Sequence, residues 1–435
     1  MSAFKIIGVM TGNSLDAVDV VLTEFSESSI QDICGDSLDY PQALKSKLHK
    51  LRKLIKESAS PINELSNTAF FIETVNDYTR LVAQAVNSLL RKNGYNTSEI
   101  AAIGFPGQTC GHFPPSIAGA QPPYTLQLGN PNLLADSTQI PVIYDFRSDD
   151  LMNGGEGAPL APMHNYRLAG KLRQADVFPV AFCNGGNTGN ISVVSQRKDG
   201  GDIVLGWDIG PFNHLADLIA RDYYNVPFDK FGAYGKQGKI IADLLQKLFN
   251  EVAITNQGAN FYLQQPPKSS DPLWYHLPDI SEYDIADVLR TAEYLSAYSF
   301  FHSLQYIPED IEMPEHFLVF GGGWKNPLIM EDFALLLTKE ALVLAEHKDI
   351  FARIKKRFRK LPAISWSDKY GYSGYYMEAR IFADLAYCKM NNIPFTTPET
   401  TGCASPTVCG VWCRPQSEQQ PLYNRAAPGW QKDSR

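Results

Sequence analysis

Apolar residues crowd into two short runs at the start of the chain, Phe4 to Met10 and Asp19 to Phe25, both rich in β-branched side chains. Between them lie Thr11, Gly12, Asn13, Ser14 and Asp16, so the pattern predicts a strand, a polar turning loop and a second strand. From about Asn63 to Lys92 the spacing becomes helical, with Leu65, Val75, Tyr78, Leu81, Val82, Val86 and Leu89 on one face and Gly94 placed to stop it. "IAAIGFPGQT" then reads as a buried strand ending in a polar turn, and Pro141 to Tyr144 as another that delivers Asp145 and Arg147. The pattern begins again with a strand around "VFPVAFCNGGNTGNISVV", a second around "DIVLGWDIGPFN", a helix from about Asn213 to Tyr224 and a long helix from about Asp284 to Tyr306. "FLVFGGGWKNP" follows, a strand running into three glycines. No internal repeat is visible by residue identity, but the order of elements predicts two similar α/β lobes.

Length supports that division: 435 residues exceed what one hydrophobic core usually holds. The apolar fraction of 44% is that of an ordinary globular chain, and a net charge of −8 argues against general nucleic-acid binding. Seven cysteines, an odd number without a CxxC pair, fit reduced thiols rather than a disulfide framework or a zinc site. Strand-like sequence begins at once, without a signal-peptide pattern, and no apolar run reaches membrane-spanning length, so a cytoplasmic protein is expected. The basic run His347 to Lys360 reads as a solvated helix face, an anionic partner being the alternative. From about Pro415 onward the polar, proline-containing tail is expected to be poorly ordered.

The chemistry concentrates in the turns. Thr11 and Ser14 offer hydroxyls beside backbone N–H groups, which suits phosphate oxygens, although a tight hairpin explains the same residues. In "GWDIGPFNHLADL", Asp208 stands at a strand end near Gly210 and a helix start, where backbone donors attract anions. A carboxylate there repels phosphate unless it has a task, and general base is the one that fits. Gly321, Gly322 and Gly323 follow a strand and leave room for a flat ligand such as adenine or ribose. They form neither GxGxxG nor a Walker sequence, and neither HExxH nor a serine nucleophile elbow occurs, which disfavours Rossmann, P-loop, metal-hydrolase and serine-hydrolase chemistry.

In order, these segments resemble the anhydro-N-acetylmuramic acid kinases, a branch of the sugar kinase, heat-shock ATPase and actin superfamily. The family's opening M-S-G-T-S-L-D-G followed by aspartate is similar to Met10 through Ala17 with Asp19, and its H-G-Q-T to Pro106-Gly107-Gln108-Thr109. "TLQLGNPNLLA", "DFRSDD" and "GGEGAPLAP" follow. Its F-D-x-G-P-G-N resembles Trp207 through Asn213, P-P-K-S matches Pro266 to Ser269, the glycine triplet Gly321 to Gly323, and M-E-A Met377-Glu378-Ala379. The resemblance runs to about Pro415. It implies a duplicated, actin-like, two-lobed α/β ATPase fold with the nucleotide in the cleft between lobes. Residues 1–140 with a return over about 375–415 would form the first lobe, 141–374 the second with the adenosine-binding glycines, and 416–435 a polar tail. It further implies ATP and Mg²⁺, with Thr11, Gly12, Asn13, Ser14, Gly210, Asn213 and Gly321 to Gly323 at the nucleotide. Arg147, Glu378, Asp16 and Gln108 would meet the sugar, and the aspartate matching Asp208 would activate water to open a 1,6-anhydro ring while O6 takes the γ-phosphoryl group. The metal ligands are not assigned. A small-molecule sugar and ATP are the expected partners, without nucleic acid or membrane, and a homodimer is left open.

Several positions depart from the family pattern: Asn13 for threonine, Pro106 for histidine, Phe212 for glycine and Phe231 for aspartate. "KSSDPLW" lacks the family's glycine-arginine-glutamate, and the basic stretch before Arg359 looks inserted. Two alternatives therefore stand beside the kinase, a catalytically poor nucleotide or sugar sensor and a kinase for a different anhydro- or amino-sugar.

Overall fold

The computed structural model describes residues 3–12, 15–27, 29–57, 62–118, 122–255, 257–270, 272–338 and 341–426. They divide into two compact units, one of Met1–Leu160 with Tyr376–Arg435 and one of Ala161–Tyr375. The division falls later than residue 140, after the "APL" segment, because the strand Pro141 to Tyr144 joins the first sheet rather than opening the second.

In the first unit β1 (Phe4–Thr11), β2 (Ala17–Phe25) and β3 (Ile30–Asp39) form an antiparallel meander, and β4 (Ala102–Phe105) and β7 (Val142–Tyr144) add in parallel beside β1. A separate hairpin joins β5 (Gln108–Phe113) to β6 (Tyr124–Leu128). The C-terminal strand Val411–Cys413 closes the sheet edge antiparallel to β7. The predicted 63–92 helix is instead two, Ile62–Ser66 and Ala69–Asn93, broken where the Thr68 hydroxyl caps the second by accepting from Phe71 N at 3.3 Å. Gly94 ends it at φ 72°, as expected. Tyr78, Val82, Val86 and Leu89 on its face are buried against the sheet, while Phe71 and Val75 pack with Leu126 and Leu128 of the β5–β6 hairpin. The opposite sheet face takes the helix Met377–Met390, which approaches closely because β1 and β4 carry glycine at the crossing: a Cβ on Gly8 or Gly104 would strike the helix backbone at Ala379 and Phe382.

The second unit repeats this topology. β8 (Val180–Gly185), β9 (Thr188–Gln196) and β10 (Asp202–Pro211) form the meander, with β11 (His316–Phe320) and β12 (Ala363–Trp366) parallel beside β8. "VFPVAFCNGGNTGNISVV", expected as one strand, is a hairpin turning at Gly186 and Asn187. Both sheets thus run third, second, first, fourth, fifth strand in order of the chain, so the duplication that residue identity hides is plain in the topology. This ribonuclease-H-like sheet present twice is the actin-like α/β fold that was expected. The core is aromatic, with Trp207, Phe212, Phe249, Phe300 and Trp324 all buried around the helix Ile285–Ser303. No helix among the described residues is long and apolar enough to cross a membrane.

The described part of the C-terminal tail, to Ala426, differs from expectation, while residues 427–435 lie outside the described residues. Gln416 to Ala426 is held by its own hydrogen bonds, among them Tyr144 Oη to Gln420 Oε1 at 3.1 Å and Gly129 N to Leu422 O at 3.0 Å. Polar composition misled because the segment spends its polar groups on partners rather than on water. Part of the basic run is likewise committed to the protein: Arg357 donates to the carbonyls of Ile307 and Pro308, and Arg359 and Lys360 pair with Glu312 and Glu315.

Candidate functional site

In the first unit the β1–β2 loop and the Pro106-Gly107-Gln108-Thr109 turn, distant in sequence, are bonded to one another. Thr11 Oγ1 donates to Gly107 O at 3.2 Å and lies 3.1 Å from Tyr78 Oη, while Gln108 Nε2 donates to Gly12 O at 3.3 Å. Tyr40 Oη donates to Gln108 Oε1 at 2.9 Å. Thr11 and Gln108 are therefore buried supports of the loop, with their side chains turned to protein partners. Asp16 is exposed, 4.0 Å from Lys45 Nζ, and Leu15 holds φ 58° with its side chain in the core. Asn13 and Ser14 lie outside the described residues.

Beside this junction a small cavity is lined by Thr11, Pro106, Gly107, Thr109, Gln127 and Arg147. Arg147 donates through Nη1 to Gly157 O at 2.8 Å. Behind it His112 is buried, its Nδ1 3.1 Å from Thr125 Oγ1, and burial followed by the Arg147 charge holds the imidazole neutral, well below its ordinary range. Glu156 is buried too and accepts from Ser116 N at 3.1 Å and Ser116 Oγ at 2.5 Å. Glu378 stands exposed in the first turn of the helix Met377–Met390, where the helix dipole favours a carboxylate. It is not among the residues lining that cavity.

The sequence reading missed Gln127, His112 and Tyr40. For Gln127 a signal existed: in "YTLQL" the polar Thr125 and Gln127 alternate with apolar residues on a strand, so they share a face. Both are buried, and Gln127 Nε2 donates to Thr125 Oγ1 at 2.7 Å.

In the second unit Asp208 sits at a bulge of β10, between the paired residues Asp208 and Gly210. It is 8% exposed, and three donors converge on Oδ2: Ser270 N at 2.9 Å, Ser269 Oγ at 3.2 Å and Ser270 Oγ at 3.5 Å. Asp208 N in turn donates to Lys268 O at 3.1 Å, so the "KSS" segment is laced to the aspartate by main chain and side chain. Gly210 holds φ 125°, which a side chain would resist, and a Cβ there would lie 2.9 Å from the Tyr262 ring. Lys268 is also buried. Its ammonium donates to Phe261 O at 2.9 Å and lies over the rings of Phe261 and Tyr306, and burial pushes its pKa down to about 7 against the opposing pull of Asp208. A positive charge whose loss falls near neutrality is thus coupled to the candidate base.

The turn after β10 bonds to the β8–β9 hairpin: Phe212 N donates to Asn187 O at 2.9 Å and Asn213 N to Gly186 O at 3.2 Å. Asn213 Nδ2 donates to Asp217 Oδ2 at 2.5 Å, while burial pushes the Asp217 carboxyl up to about 6. Phe212, the departure that raised the sensor alternative, points its ring inward against Trp324, with centroids 4.8 Å apart. It occupies the space that Gly185, Gly189 and Gly323 leave, so the substitution is absorbed by the core. Within the triplet the glycines differ: a Cβ on Gly321 or Gly323 would meet Asn184 or Phe212 at 2.7 Å, whereas one on Gly322 would meet nothing within 4 Å. Phe231, by contrast, is 66% exposed at φ 57°.

The sequence matches the family model described as anhydro-N-acetylmuramic acid kinase over residues 4–355 and 345–414. It is 31% identical to the anhydro-N-acetylmuramic acid kinase of Haemophilus influenzae over 426 residues, covering 93% of this chain and 96% of that one. The protein of the same description from Agrobacterium fabrum is 30% identical over 413 residues, with 94% and 98% covered, and that from Brucella canis 29% over 412, with 94% and 99%. The chain belongs to the anhydro-N-acetylmuramic acid kinase family, and is an ATP-dependent sugar kinase.

Proposed function

We propose that this kinase takes 1,6-anhydro-N-acetylmuramic acid, opens its anhydro ring with water and phosphorylates O6, giving N-acetylmuramic acid 6-phosphate and ADP. Asp208 takes a proton from water as the oxygen attacks C1; the C1–O6 bond breaks, and O6 forms the new bond to the γ-phosphorus as the bond to the ADP oxygen breaks. The observation that carries this reading is the buried Asp208 carboxylate, fixed through Oδ2 by Ser269 and Ser270 at a strand bulge. Gly322, open on its Cβ side, supports an adenosine contact, and the cavity at Pro106, Gln127 and Arg147 supports a sugar contact. ATP enters as its magnesium complex, whose ion is held mainly by phosphates and water.

Turnover in ¹⁸O-water tests the proposal, because the label must enter the C1 hydroxyl and not the phosphate. Unlabelled product, or ADP formed without a sugar phosphate, sinks it. Asp208→Asn should fold and bind ATP normally while kcat drops by about 10²–10⁴-fold.

A further inference from the structure

The family match ends at residue 414, yet the chain continues into a segment bound tightly to the first unit. Tyr423 pairs with Leu128 as an isolated antiparallel bridge, and Thr125 N donates to Ala426 O at 3.0 Å, so the segment lies alongside β6. Asn424 is buried in it. Its Oδ1 accepts from Gln127 N at 2.7 Å, and its Nδ2 donates to Thr125 O at 3.2 Å and Ser148 Oγ at 3.1 Å. Arg425 next to it donates through N and Nε to Asp145 Oδ2, at 3.1 and 2.7 Å, and its Nη2 lies 2.9 Å from Asp149 Oδ1. The Asp145 carboxylate is wholly buried, and its backbone stands at φ 57°, two residues before Arg147. Ala426 N donates to Ser148 Oγ at 2.9 Å, and Ser148 in turn donates to Asp145 Oδ1.

We propose that residues 422–426 position the sugar site, with Asn424 setting Gln127 and Arg425 setting the Asp145–Arg147 turn. The proposal rests on the reading that the cavity at Pro106, Gln127 and Arg147 takes the sugar. Two walls of that cavity come from short elements, β6 and the turn after β7, and both are bonded to this one segment. Without the Arg425 side chain the buried Asp145 would keep only the Ser148 hydroxyl and the main-chain N–H of residue 425, and a buried ion pair broken on one side loosens the turn that carries it. Asn424 and Arg425 are positioning residues: neither needs to touch the sugar to fix the groups that do.

Sugar KM, ATP KM and kcat are measured for the intact chain, Arg425→Ala, Arg425→Lys, Asn424→Ala and a chain ending at Pro415. Arg425→Ala and Asn424→Ala should raise sugar KM about ten-fold or more, a loss of one ion pair or hydrogen bond being of that size, with ATP KM within about two-fold. Arg425→Lys, which keeps the charge but not the fork, should recover part of the loss. The shortened chain should show the largest sugar defect, or fail to fold, in which case the point variants decide. Equal rises in both KM values, or an unchanged sugar KM in both alanine variants, overturn the proposal. The intact chain separates this from the substrate reading: if it takes a different sugar, the substrate reading falls and the same split is read with that sugar. If it takes none, both fall.

Discussion

At the scale of single residues, Pro106 replaces the polar residue of the family motif in the wall of a cavity that also holds Thr109, Gln127 and Arg147. A sugar hydroxyl left without a partner there costs about 1–3 kcal/mol. Pro106→His should therefore raise kcat/KM for the anhydrosugar by roughly ten-fold, provided thermal stability shows that the turn before Gly107, at φ 74°, tolerates the change. A folded variant with no gain shows that the histidine's role is met otherwise. The glycine triplet offers a sharper contrast. Gly323→Ala must displace the Phe212 ring and should cost about 1–3 kcal/mol of stability, whereas Gly322→Leu should leave the melting temperature nearly unchanged and weaken ATP binding more than sugar binding. Equal loss for both ligands in Gly322→Leu would place Gly322 in the scaffold. The three glycines look alike in sequence, and only packing separates them. Thr11 and Gln108, the first proposed from its hydroxyl and the second from the family motif, are buried and bonded to the loop backbone. Asp208 stands out in sequence because a charged residue ending an apolar strand is costly to bury without donors, which Ser269 and Ser270 supply.

At the scale of elements, the strand-loop-strand opening, the Gly94 helix stop and the long second-unit helix could be read directly, since each is announced by local periodicity or a cap. The β8–β9 hairpin and the break at Thr68 could not be read as easily, because apolar flanks ran continuously through a turn of asparagines and glycines, and helical spacing persisted across a cap. The loop after the helix His214–Tyr224 shows what sequence hides altogether. Asp229 accepts from Tyr234 N at 3.0 Å and Gly235 N at 2.8 Å, and it faces Glu293, whose carboxyl is pushed up to about 8 by burial and then by Asp229. A Cβ at 235 would press on the Glu293 carboxyl, which would have to shift. In the folded chain Glu293 keeps a proton that the unfolded chain releases above about 4.5, so its contribution to stability is full below that pH and is lost as pH rises through about 8. Glu293→Gln should remove this slope. At pH 8.5 the variant should be more stable than the parent by roughly 2–4 kcal/mol in denaturant titrations, with the difference shrinking toward pH 5. A pH-independent difference shows that proton uptake is not the cause.

At the scale of the whole molecule, the two units are unequal in one respect: the second is a single stretch, Ala161–Tyr375, while the first is built from both ends of the chain. A fragment of residues 161–375 should melt cooperatively with native-like circular dichroism, while a fragment of 1–160 should not, because β1 and β4 lack the helix Met377–Met390 that covers their glycine face. Cooperative melting of 1–160 would show that the β-meander and the helix Ala69–Asn93 suffice. The twofold topology was legible only as an order of elements, since strand partners in a sheet are set by long-range pairing that residue identity does not record.

That split assembly gives the first unit a waiting time. A ribosome adding about 5–20 residues per second needs roughly ten to forty seconds between releasing Leu160 and reaching Tyr376. For that interval, while the second unit is being made, the face of β1 and β4 destined for the helix Met377–Met390 is glycine-lined and uncovered. The exposed period is longest just when the nascent chain is most able to pair with a neighbour. Demand for a chaperone during synthesis should thus fall on this sheet face, and supplying residues 376–435 early, by circular permutation to the N-terminus, should relieve it.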